Sequence, residues 1–102
     1  VSARYEKILD HLLGVSLWVD FKTERGKVVD YTVILLLSTP EGSRTIRVYD
    51  SAHGYNEMHR YTRTGGKQTG RLFHSGSLGE GVQVALDDAK RGYLQMIEGW
   101  KR

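Results

Sequence analysis

Val15 to Lys22 alternates strictly between apolar and polar residues. Val15, Leu17, Val19 and Phe21 fall on one face, and Ser16, Trp18, Asp20 and Lys22 on the other, which predicts a half-buried strand. Ahead of it, Tyr5, Ile8, Leu9, Leu12 and Leu13 recur at helical spacing. With Ser2 as N-cap and Gly14 as C-terminal cap, this spacing predicts a short N-terminal helix. Trp18 is then expected beneath that helix, and His11 on its exposed side. Thr23-Glu24-Arg25-Gly26 reads as a polar turn. Val28 to Ser38 follows as the strongest strand, and its run Tyr31 to Leu37 is apolar enough for cover on both faces. Thr39-Pro40-Glu41-Gly42 fits a type I turn. Arg44 to Asp50 alternates again, with Arg44, Ile46, Val48 and Asp50 together and Thr45, Arg47 and Tyr49 opposite. Tyr55 to Arg63 predicts a fourth strand with Tyr55, Glu57, His59, Tyr61 and Arg63 on one face. Thr64 to Gly70 is a glycine-rich loop, and Arg71 to His74 pairs back as a short fifth strand.

The last segment changes period from two to three and four. Leu78, Val82, Leu86, Ala89, Tyr93, Ile97 and Trp100 form one apolar stripe. Ser77 and Glu80 have the spacing of a capping box at its start. Gly92 and Gly99 weaken the helix by about 1 kcal/mol each relative to alanine. The expected fold class is α+β: a four- to five-stranded antiparallel meander packed against a C-terminal amphipathic helix, with a short N-terminal helix. At 102 residues the chain reads as a single domain over residues 1–102.

Composition narrows the chemistry. The chain has no cysteine, which excludes a disulfide framework, thiol catalysis and thiolate metal sites. The longest apolar run, Val33 to Leu37, is too short to span a membrane, and Val1-Ser2-Ala3-Arg4 opens no signal-peptide pattern. A cytoplasmic location and no membrane partner are expected. Net charge is +3, but its placement is uneven. Arg44 to His74 holds six basic and two acidic residues, a net +4 against −1 for the remainder. The same stretch carries His53, His59 and His74.

The candidate chemistry lies in Tyr49 to Arg63, a strand end, its following loop and the next strand. Three readings stay open. Asp50, His53 and His59 offer a carboxylate and two imidazoles to a metal. His53, Glu57, His59 and Tyr61 offer acid–base groups for cleaving RNA through the ribose 2′-hydroxyl without a metal or other cofactor. In that reading Arg47, Arg60, Arg63, Lys67 and Arg71 hold phosphate. Arg60 would face away from Glu57 and His59 in a regular strand. In the third reading Asp50 to Gly54 is only a turn and the segment a binding surface for protein or nucleic acid. Gly65-Gly66-Lys67 lacks the spacing of a phosphate-binding P-loop.

Tyr49, Asp50, Ala52, His53, Gly54, His59 and Arg60 together resemble the motif of the small TumE-like toxins and related prokaryotic families. Those chains carry a strand ending in Tyr-Asp, then a glycine and a histidine-rich stretch. The order of strands, motif, loop and closing helix is similar over residues 28 to 100. The chain departs from that pattern in the longer Gly54-to-His59 spacing, and in Tyr61 where the family has a second histidine. The resemblance implies a toxin of a toxin–antitoxin pair, with an antitoxin protein as partner. RNA is the expected substrate, and self-association is left open.

Overall fold

A computed structural model describes residues 1–102. Seven strands precede one helix: β1 (Ser2–Asp10), β2 (Val15–Glu24), β3 (Lys27–Thr39), β4 (Gly42–Asp50), β5 (Asn56–Thr62), β6 (Gly66–Lys67), β7 (Arg71–His74) and α1 (Leu78–Lys101). β1 to β5 form an antiparallel meander in chain order. The two short strands both pair with β5, β6 at Tyr61 and Thr62 and β7 at Asn56 to Met58. No helix is long and apolar enough to cross a membrane.

The alternation of β2 and β3 sets the core. Val15, Leu17 and Val19 face α1 beside Tyr31, Val33 and Leu35, and all six are buried. Val82, Ala85, Leu86, Ala89, Met96, Ile97 and Trp100 supply the helix side of the same cluster. The β2–β3 hairpin turns through Arg25 and Gly26, both at positive φ, the backbone a tight two-residue turn needs. Ser77 and Glu80 make the reciprocal capping box that starts α1.

The N-terminal segment is a strand, not the expected helix, and the sheet has more strands than the four or five expected. β1 pairs along β2 from Ser2↔Lys22 to Asp10↔Val15, and Val1 and Thr23 exchange backbone hydrogen bonds beyond it. Without β1, the whole outer edge of β2 would be left with unpaired backbone groups. That non-local demand overrides the helical spacing. The apolar residues that suggested a helix are mostly solvent-facing: Ile8 is 62% exposed and Leu12 95%, and only Leu9 packs on the core. Trp18 has no helix over it. It lies on the face away from α1, half exposed, with the Arg4 guanidinium 5.6 Å from its ring centre. His11 sits in the β1–β2 turn, and Gly14 at φ 74° closes that turn rather than a helix.

A bulge changes the facing of β4. Leu35 pairs with Arg47 but Leu36 with Thr45, so Ile46 is an extra residue. Ile46 therefore joins Tyr49 in the core, while Val48 turns to the opposite face. The expected pairing of Ile46 with Val48 on one face does not occur.

Asn56 fastens the sheet to the start of α1. It is 1% exposed. Its Oδ1 accepts from the Tyr31 hydroxyl at 2.7 Å, and its Nδ2 donates toward the carbonyls of His74, Gly76 and Ser77, each at 3.1 Å. Burial, and then the charge of Asp50, raise the Tyr31 phenol well above its ordinary value, so it remains a donor. Gly81 lies against this amide so closely that a Cβ there would run into it. Asn56→Ala should destabilise the chain by about 2–3 kcal/mol, because it strands buried partners on both sides. Urea unfolding measures this, and a change well under 1 kcal/mol would show that the amide is not the tie.

Candidate active site

Cross-strand pairing of β4 and β5 assembles the site. Asp50 stands opposite Glu57 and Val48 opposite His59, all on the face away from α1. The loop after β5 then folds over them. Gln68 donates its backbone N–H to the Arg60 carbonyl, and its own carbonyl lies 3.1 Å from His59 Nδ1. Gly70 packs onto the cluster so closely that a Cβ would meet the Glu57 carboxylate and the His59 ring. Asp50, Glu57 and His59 are each less than a tenth exposed as a result.

The Glu57 carboxylate is the hub. Its Oε1 is 2.7 Å from His53 Nδ1 and 3.3 Å from His59 Nε2, and its Oε2 accepts from the Tyr55 hydroxyl at 2.8 Å. The His53 imidazole, and next the Tyr55 hydroxyl, hold the Glu57 carboxyl below its usual value, outweighing the opposite effect of burial. In return, Glu57 pushes the Tyr55 phenol up. An ionised carboxylate can only accept, so His53 Nδ1 carries a proton, and in the neutral ring Nε2 is the nitrogen with the free lone pair. The His53 side chain is 67% exposed, against 6% for Glu57. A buried carboxylate thus orients an imidazole that faces solvent.

His59 has a different setting. A carbonyl also only accepts, so His59 Nδ1 donates to Gln68, and Nε2 is left facing two carboxylates. Asp50 Oδ2 is 3.9 Å away, while Asp50 Oδ1 accepts from the Ala52 N–H at 3.1 Å. The donor atoms of Asp50, Glu57 and His59 all lie within 4.8 Å of one another. A divalent cation fits this donor set, and so does a proton on Nε2.

The structure brings together His53, Glu57 and His59 of the expected acid–base set, and adds Asp50 and Tyr55. Tyr61 is separated from them: it packs against the core and lines a cleft on the α1 side. Tyr55 was missed as a functional group, although the alternation of β5 already placed it on the face of Glu57. Among the basic residues, Arg47 and Arg60 are cross-strand partners on the α1 face, away from the cluster. Arg60 thus faces as a regular strand requires. Arg63, Lys67 and Arg71 are exposed on and around the covering loop. Lys67 adjoins Gln68 on the covering loop, whereas Arg71 pairs with Met58 and so takes the α1 face with Phe73, away from Glu57 and His59.

A carboxyl held below its ordinary value of 4.5 contributes stability that is complete above that pH. The contribution is lost as pH falls through the depressed value. Glu57→Gln should therefore lose less stability than the parent chain between pH 5 and pH 2, an interval of about that width being where such a carboxylate titrates. Thermal unfolding across that range checks it, and parallel acid limbs would contradict it.

No curated protein and no solved structure matches the chain. One family model does, over residues 2–102, nearly the full length. The chain belongs to the family described as a domain of unknown function, DUF7718.

Proposed function

We propose that the chain is a toxin-type ribonuclease that cleaves RNA at the His53–Glu57 pair. The observation that carries this reading is the buried Glu57 carboxylate joined at 2.7 Å to an exposed imidazole. Such a pair fixes the tautomer and leaves Nε2 free to act as a general base. His53 Nε2 takes the proton of a ribose 2′-hydroxyl, and the 2′ oxygen attacks the adjacent phosphorus. The bond to the 5′ oxygen breaks, and that oxygen takes a proton from solvent. The products are a 2′,3′-cyclic phosphate and a 5′-hydroxyl end. Lys67 supplies positive charge for the phosphate, and Arg63 extends it along the strand. The resemblance of Tyr49, Asp50, His53, Gly54 and His59 to the TumE-like motif supports the toxin role and an antitoxin partner.

The purified chain should cleave a labelled RNA oligonucleotide and leave a cyclic phosphate end. His53→Ala should lower the rate about a hundredfold or more. Gly70→Ala replaces no proton-transfer group but pushes Glu57 and His59 out of place, so it should also slow cleavage. Induction of the chain alone in a bacterium should arrest growth with loss of RNA. An inert chain, or an active His53→Ala variant, would overturn the reading in favour of a binding module for protein or nucleic acid.

A second reading rests on His59. An imidazole that donates one ring N–H to a backbone carbonyl and aims the other nitrogen at two carboxylates has the setting of a metal ligand. Asp50, Glu57 and His59 would hold a divalent ion, which would polarise a phosphoryl oxygen. In that case chelator abolishes cleavage, and one divalent ion restores it to the parent chain but not to Asp50→Asn. Cleavage indifferent to chelator removes this reading and leaves the first.

A further inference from the structure

The α1 face of β4 and β5 carries a second constellation, unconnected with His53. Arg47 and Arg60 stand directly opposite each other there, and like charges in that relation repel. Their only carboxylate neighbour is Asp88 of α1, 3.7 Å from Arg47 Nη1, half exposed and already accepting from the Tyr49 hydroxyl at 2.6 Å. Arg60 makes no ion pair, and Arg47 Nε is buried without a hydrogen-bond partner. Both arginines line a cleft of about 480 Å³ between the sheet and the second half of α1.

The helix leaves that cleft open. Asp88, Gly92, Gln95 and Gly99 recur at fours and threes and all line it. A Cβ at Gly99 would meet nothing, and at Gly92 it would meet only the end of the Met96 side chain at 3.1 Å. No close backbone approach requires glycine at either place, yet each weakens the helix. Ile46, Met96 and Trp100 give the cleft an apolar side, but most of its lining is polar, with Arg47, Arg60 and Gln95 facing Asp88 and Gln68 across a partly open space.

We propose that this cleft binds a small molecule through a phosphate or carboxylate group held between Arg47 and Arg60. An oxyanion there relieves the repulsion of the two guanidinium groups and offers acceptors to their open N–H donors. Gln95 contacts the uncharged part, in the space left by the two glycines. Arg47 and Arg60 lie on the opposite face of the sheet from the His53 cluster, with Gln68 of the covering loop bordering both, and the site does not depend on RNA cleavage.

Trp100 provides the readout. In a Trp18→Phe background it is the remaining tryptophan, and its emission can be followed as adenosine monophosphate, inorganic phosphate or citrate is added. At least one probe should change the emission saturably, and the probe that does so separates a phosphate site from a carboxylate site. Arg60→Ala, at an exposed position, should weaken that binding about tenfold without lowering the thermal midpoint, since it removes one of two repelling charges. Gly99→Leu, filling the cleft, should abolish it. His53→Ala should not affect it. No saturable response to any of the three probes, or a response that Arg60→Ala leaves intact, would overturn the proposal.

Discussion

One extra residue in β4 divides the chemistry of this protein between two surfaces. Side chains alternate along a strand, so the bulge at Ile46 decides which face every later residue takes. Beyond it, Tyr49 and Arg47 turn toward α1, while Val48 and Asp50 turn away. β5 copies that division through its pairing. Glu57 and His59 join Asp50 on the outer face, and Met58 and Arg60 join Tyr49 and Arg47 beneath the helix. A single-residue slip would place the carboxylates in the core and the tyrosine in water.

That division explains how a chain of 102 residues accommodates so many buried polar groups. The outer cluster is covered by a loop, not by the helix. The loop fits because Gly70 has no side chain where Glu57 and His59 press against it. On the inner face the polar groups are tied to the helix. Asn56 binds its first turn, and Tyr49 and Arg47 meet Asp88 near its middle. Along Asp88, Gly92, Gln95 and Gly99 one side of the helix leaves space beside the sheet, and this is the cleft, while Met96, Ile97 and Trp100 still close the core.

The acid–base cluster was partly legible in the sequence. Alternation in β5 put Tyr55, Glu57 and His59 on one face, because that placement depends only on neighbouring residues. The role of His53 as the outward group was not legible, since it depends on the turn at Ser51 to Gly54 bringing Nδ1 onto Glu57. Tyr61 was misplaced for a related reason. Its strand pairs with β6 at that end, and the local alternation says nothing about that hairpin's packing against the core. The five basic residues share one basic stretch of sequence. They do not share a surface, because adjacent strands present alternate residues to opposite sides.

Sequence alone determined the elements whose signals are local. These are the strands of the meander from Val15 to Asp50, the strand that carries Glu57 and His59, the capping box at Ser77 and Glu80, and the apolar stripe of the closing helix. Tertiary structure decided three things. It made residues 2–10 a strand, because the free edge of β2 needs backbone partners that no helix can supply. It set the facing of Ile46, Arg47 and Tyr49 through a bulge that appears only when β4 pairs with β3. It also separated Arg47 and Arg60 from the carboxylate–imidazole cluster. Each outcome rests on hydrogen bonds between segments distant in the chain, and residue patterning within one segment does not encode those.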